Sequence, residues 1–345
     1  MEKMLSFREE LDKIPQHKPY KIYKNEIRMD MNTNLIGKNP VLKKTEKILT
    51  TLDLNSYPTK EYDKFKSELR KKFGIDEDMV LIGNGSDEVI DRAMRAMIKP
   101  NDKIVILKPS FPNYKTFAII NFASIVETPL KLNGNNWSFE PQKILEEKPK
   151  LCIIANPNNP TGNCFDKEKI FEILDNSIVL LDEAYAEFSG ETFTKYTKEY
   201  KNLLVIRTFS KAYGLAGLRV GYGIGNEEII KIIEKVIPAY NVNSLSLAIA
   251  TEALKDEKFL KKTLTEIKKE RSFLNEKLKK LGFVVYPSVT NFLLVKPPID
   301  AEKLCKKLEE KGIIIKNVYF ENCVRITVGN RKMNKLLLNG IMEIL

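Results

Sequence analysis

Between about residues 80 and 225 the chain alternates short apolar runs with amphipathic helical patterns, and this alternation restricts the folds open to it more than any other feature. The runs are Val80 to Ile82, Ile104 to Leu107, Leu151 to Ala155, Ile178 to Leu181, Leu203 to Arg207 and Val220 to Ile224. Short, continuously apolar and rich in β-branched residues, they read as parallel strands covered by helices on both faces. The expected class is therefore α/β. In open sheets of this kind ligands sit at the carboxyl ends of the strands. The polar residues that follow the runs, Asn156 onward, Asp182 and Ser210, are the first candidates for a site.

At 345 residues the chain exceeds one comfortable core, so one large and one smaller domain are expected. We place an N-terminal arm at 1–35 that joins the small domain, a large domain at 36–245 and a small α+β domain at 246–345. The tail reads strand, helix, strand, strand, helix: Asn291 to Val295, Ala301 to Lys311, Ile313 to Ile315, Val324 to Val328 and Arg331 to Leu345. Before it, Leu260, Leu264, Ile267, Leu274, Leu278 and Leu281 form a helical stripe that skips the Arg271 position, with Gly282 as its stop.

Composition excludes several classes. Hydrophobic residues are 43% and charged residues 30% of the chain, and no apolar run approaches the roughly 20 residues needed to cross a bilayer. No membrane partner is expected, and the mixed charges of residues 1–10 lack a secretory pattern, so the chain reads as cytoplasmic. Cys152, Cys164, Cys305 and Cys323 are scattered and the one histidine is His17. Disulfide frameworks, metal sites and histidine triads thus lack their parts. The net charge of +11 is dispersed among acids, which favours a solvated surface over a nucleic-acid partner and can steer anionic substrates.

An ordered set of residues carries the chemistry: Asn159 in Asn-Pro-Asn-Asn-Pro-Thr-Gly, Asp182 and Tyr185 in Asp-Glu-Ala-Tyr, Ser210 and Lys211, then Arg219. A lysine forms a Schiff base with an aldehyde cofactor, and an aspartate holds a pyridinium nitrogen protonated. Hydroxyl and guanidinium groups hold a phosphate. The set reads as a site for pyridoxal 5'-phosphate. Gly83 to Glu88 follows an apolar run and opens a helix, so Gly85, Ser86 and Asp87 read as a phosphate cradle of free N–H groups. Ser210 and Arg219 add donors. Tyr185 and Asn159 are placed to hydrogen-bond the ring's phenolic oxygen. Phe111 is a candidate to stack on the ring, with Tyr114 as the alternative. Lys211, once released, can move a proton at the substrate Cα. The catalytic set is thus Lys211, Asp182 and Tyr185.

These motifs resemble the class I and II aminotransferases of fold type I, and within them the histidinol-phosphate aminotransferase family, over nearly the whole chain. The segment Arg207 to Tyr222 is similar to that family's lysine segment almost letter for letter, and Ser56-Tyr57-Pro58 and Val324 to Gly329 are similar to other motifs. The resemblance implies conversion of histidinol phosphate and 2-oxoglutarate to imidazole acetol phosphate and glutamate. It also implies a homodimer in which Tyr57 reaches the phosphate of the neighbouring subunit's cofactor. Arg325 and Asn32 are implied as substrate-binding, together with Tyr20 or Tyr23 at a substrate phosphate. Two departures bear on the substrate. Thr33 stands where the family usually has glutamate, a residue that the similar threonine-phosphate decarboxylases also lack. Leu336 stands where a second arginine is common, beside Lys335, which favours an aromatic or other amino-acid aminotransferase. A cofactor-binding regulator of DNA is disfavoured, because no residues are spare for a helix-turn-helix domain.

Overall fold

The computed structural model describes residues 8–16 and 26–345. Its centre is a seven-stranded sheet in the order Val80–Asn84, Val220–Gly225, Leu203–Thr208, Ile178–Asp182, Leu151–Ala155, Lys103–Lys108, Ser124–Pro129. The alternation of side chains along each strand explains why the runs are continuously apolar. On one strand Cys152 and Ile154 enter one core while Leu151, Ile153 and Ala155 enter the other. Both faces are covered, as fold type I requires.

One strand departs from the expected parallel arrangement. Val220–Gly225 runs antiparallel to both of its neighbours. The connection before it holds a single 3-10 turn, Ala216–Leu218, whereas a parallel return needs a crossover of about a dozen residues or more, usually a helix. The Ser124–Pro129 strand was not visible as an apolar run. It lies on the sheet edge, where most of its side chains meet solvent and apolar character is not needed.

A four-stranded antiparallel sheet, Val284–Val285, Phe292–Lys296, Val324–Thr327 and Lys316–Asn317, forms the second unit. Its strands alternate. Leu293, Val295, Val324 and Ile326 face the helices Glu257–Lys280, Ala301–Glu310 and Arg331–Met342, and the intervening residues face the large sheet. The arm joins this unit: Ile27–Arg28 pairs in parallel with Ile313–Ile314, and Leu35 bridges Gly329. The helix Ser244–Lys255 shares its core with Thr59–Phe73, so its contacts lie with the large sheet even though the sequence puts the domain change near 245. The gap at Arg271 also has a cause. Arg271 donates to the Val289 carbonyl at 2.7 Å and to the Thr290 carbonyl, and the neighbouring Glu270, buried in the stripe, grips Arg331 through contacts of 2.9 and 3.0 Å.

Candidate active site

The site is built where the sheet ends and the two units meet. Asp182 terminates its strand fully enclosed. Burial pushes its carboxyl above the ordinary carboxylate value, while the Tyr114 hydroxyl and the Ala184 N–H, at 2.6 and 2.9 Å, oppose that rise. A carboxylate so desolvated gains from a cation placed against its open side, which is what a protonated pyridine nitrogen offers. Tyr114 is itself fully buried with its hydroxyl committed to Asp182. Phe111 is partly exposed and meets the Tyr114 ring edge-on at 5.4 Å.

Lys211 follows Ser210 past the end of the Leu203–Thr208 strand. Its Nζ donates to the Met31 carbonyl at 3.1 Å and lies 5.8 Å from the centre of the Tyr185 ring. The Tyr185 hydroxyl accepts from Asn32 Nδ2 at 2.9 Å, so its own proton is free to be donated into the site. Asn32 holds this pose in the left-handed region, φ 53°, with its backbone N–H on Thr327 Oγ1 at 3.0 Å.

The phosphate cradle passes a steric test. Gly85 begins the helix Gly85–Met97, and a Cβ built on it would stand 2.6 Å from Arg219 Nη2. With φ at 80° this position favours glycine, and a side chain there would push the guanidinium away from the helix start. Gly221 is as constrained, since its Cβ would fall 2.3 Å from the Ser86 nitrogen. Arg219 Nη2 is 3.4 Å from the Asp87 carboxylate, so the Asp87 side chain aims the guanidinium and only its backbone can serve as donor. Ser210 Oγ accepts from Thr208 Oγ1 at 3.0 Å. The donors present therefore fit a pyridine ring bearing an aldehyde and a phosphate.

Arg325 projects from the second sheet. One of its nitrogens donates to Asn159 Oδ1 at 2.6 Å and another to the Asp30 carbonyl. Asn159, so held, keeps its amide N–H groups for another acceptor. Tyr57 is 78% exposed and stacks on Tyr240 with ring centres 5.3 Å apart. It contacts none of the other site residues within this chain's described hydrogen bonds. Leu336 and Lys335 are on the exposed side of their helix, and Arg331 is held by Glu270. Tyr20 and Tyr23 lie outside the described residues.

Tyr114 as the partner of Asp182 was missed in the sequence, where it was weighed only as a stacking ring. Its place in Pro109 to Tyr114, at the carboxyl end of a strand, was the available signal. Thr208, the Met31 carbonyl and Tyr240 gave no such signal.

Similarity to known proteins agrees with this geometry. The aminotransferase class I and II family model matches residues 24–341. The chain is 39% identical to the histidinol-phosphate aminotransferase of Thermoanaerobacter pseudethanolicus, covering 97% of this chain and 98% of that protein. The crystal structure of the histidinol-phosphate aminotransferase from Clostridium acetobutylicum superposes with a TM-score of 0.83 at 28% identity, over 92% of this chain and 98% of that one. The fold is shared by the Sinorhizobium meliloti histidinol-phosphate aminotransferase solved with pyridoxal-5'-phosphate, TM-score 0.83 at 24% identity, over 92% of this chain and 91% of that one. Matched by that family model along nearly its whole length, and by a relative 39% identical over 97% of the chain, this protein belongs to the aminotransferase class I and II family.

Proposed function

We propose that the protein is a homodimeric, pyridoxal-phosphate-dependent aminotransferase that moves the amino group of histidinol phosphate to 2-oxoglutarate. The observation that carries the reaction class is that Lys211 and Arg325 donate to the adjacent carbonyls of Met31 and Asp30, with Asp182 buried within reach of the Lys211 charge. The similarity to histidinol-phosphate aminotransferases over nearly the full length supports the substrate.

Bound pyridoxal phosphate supplies an electron sink for the pair released at the substrate Cα. Asp182, steadied by Tyr114, holds the proton on the ring nitrogen. Tyr185 and Asn159 would donate to the ring oxygen, and the Gly85–Asp87 N–H groups, Ser210 and Arg219 would hold the phosphate. Lys211 Nζ moves the proton at Cα, a task that needs no histidine. Arg325 takes the anionic end of the amino substrate and then of the oxo acid, which explains how one site serves two partners in turn.

The homodimer is supported by a segment that exposes Leu42, Leu49, Leu54 and Tyr57, apolar area that an isolated subunit leaves in water. In this reading Tyr57 of the partner subunit contacts the phosphate. Thr33 in place of the family's glutamate favours a second reading, a decarboxylase of a phosphorylated amino acid. One experiment separates them: incubation with histidinol phosphate, threonine phosphate or an aromatic amino acid, each with and without 2-oxoglutarate, and identification of products by mass spectrometry. Glutamate formed only with histidinol phosphate supports the proposal. Carbon dioxide released from threonine phosphate without any oxo acid overturns it.

A further inference from the structure

Among the side chains that the second sheet turns toward the large domain, one row carries Arg325. Tyr286 N–H donates to the Leu294 carbonyl at 3.1 Å, and Leu294 stands opposite Arg325 in the strand register. Cross-strand neighbours share a face, so Tyr286, Leu294 and Arg325 form one line across three strands. Phe320 lies in the turn that joins Lys316–Asn317 to Val324–Thr327, and Lys316 is the register partner of Arg325 on its other side. Whatever fixes Tyr286 and Phe320 therefore fixes the tilt of the strand that carries Arg325.

Trp137 touches both. It sits on the two-stranded hairpin Lys131–Asn133 and Asn136–Ser138 of the large domain, 6% exposed, with its ring centre 5.5 Å from Tyr286 and 5.3 Å from Phe320. Its carbonyl accepts from Asn163 Nδ2 at 2.8 Å. Asn163 closes the loop that begins at Asn156 and carries Asn159. The same loop grips the second unit directly: the Gly162 carbonyl accepts from Val289 N–H at 2.8 Å, and a Cβ on Gly162 would lie 2.6 Å from Ser288 Oγ. The tryptophan and the cofactor-side asparagine are thus parts of one joint. The indole N–H has no hydrogen-bond partner among the described residues, so the ring is kept there by packing and not by a polar contact.

We propose that Trp137 is a positioning residue for substrate binding: by wedging its ring between Tyr286 and Phe320, it sets the angle at which the second unit presents Arg325 to the Asn159 loop. The inference rests on the reading of Arg325 as the anion-binding group. A wedge that acts this way contributes to binding equally before and at the transition state. Its loss therefore raises KM and leaves kcat nearly unchanged. Leverage through a sheet also explains why a residue outside every motif matters, since small displacements of a binding group are costly.

The test uses the holoenzyme. Trp137→Ala should raise KM for both the amino substrate and the oxo acid by about tenfold while kcat changes by less than about threefold, with visible absorbance and cofactor retention as in the wild type. Trp137→Phe, which keeps one aromatic ring at the joint while losing the pyrrole half of the indole and its N–H, should hold KM to within about threefold of the wild type. If Trp137→Ala does not fold, Phe320→Ala removes the same contact from a surface turn and should raise KM alike. Trp137 is also the chain's one tryptophan. Its fluorescence should change on adding a non-reacting dicarboxylate, and the change should vanish in Arg325→Ala. The proposal is overturned by unchanged KM in Trp137→Ala or Phe320→Ala, by a fall in kcat at constant KM, or by a Trp137→Phe enzyme as defective as the alanine variant. If Arg325→Ala itself leaves KM unaltered, the assignment of the anion site fails instead, and the two failures are told apart.

Discussion

The Tyr114 hydroxyl donates to the Asp182 carboxylate across 2.6 Å in surroundings that exclude water from both side chains. Tyr114 thereby sets the direction in which the second carboxylate oxygen points, and Asp182 is left poised for a cation that the protein chain does not itself provide there.

Asp182→Asn should lower turnover by about a hundredfold or more, the scale seen when one preorganised electrostatic group is removed, with much less effect on cofactor retention. The apoprotein should respond in the opposite sense. Burial raises the Asp182 carboxyl above its ordinary value, so its contribution to stability is complete at low pH and is lost as pH rises through the folded-state value. The asparagine variant, which cannot ionise, should melt higher than wild-type apoprotein at neutral pH, and the gap should narrow in acid. Melting curves of the two apoproteins across pH check this, and a gap that widens in acid contradicts it.

Lys211 is expected to carry the cofactor. The purified protein should be yellow, and borohydride should fix the label on this lysine, as read by peptide mass spectrometry. Lys211→Ala should reduce turnover by several orders of magnitude, since attachment and proton transfer are lost together. A label on any other lysine removes the assignment.

Tyr57→Phe should weaken cofactor binding by about tenfold, a hydrogen bond to a charged group being worth about 1.5 kcal/mol or somewhat more. Mixed dimers of Tyr57→Phe and Lys211→Ala subunits should regain one good site per dimer, because each subunit supplies what its partner lacks. Mixed dimers without recovered activity show that Tyr57 serves its own chain.

Leu336 is 40% exposed, so an arginine fits there without displacing the core. Leu336→Arg should raise kcat/KM for histidinol phosphate and not for its unphosphorylated counterpart, because the added charge meets only the phosphate. Equal changes for the two substrates, or none, show that this position does not tune specificity.

The reading of the cofactor residues in the sequence rested on local chemistry. Gly85, Asp182 and Lys211 each stand at or within three residues of the carboxyl end of a strand, where backbone periodicity and residue type are enough to nominate them. The antiparallel turn of Val220–Gly225 was not legible from its apolar character, because a strand buried on both faces has the same composition in either direction. The short connection before it held the information.

Local order in the chain therefore determined the α/β class and nominated the groups proposed to hold the cofactor, because the strands, helix starts and motif spacings arise from near neighbours. Tertiary structure alone decided which groups meet across long separations. Tyr114 finds Asp182 from the helix Asn113–Ile120, Asn32 reaches Tyr185 from the arm, and Arg325 crosses from the second unit to Asn159. Such pairings depend on how two independently cored units are docked, and no periodicity within either segment encodes that angle.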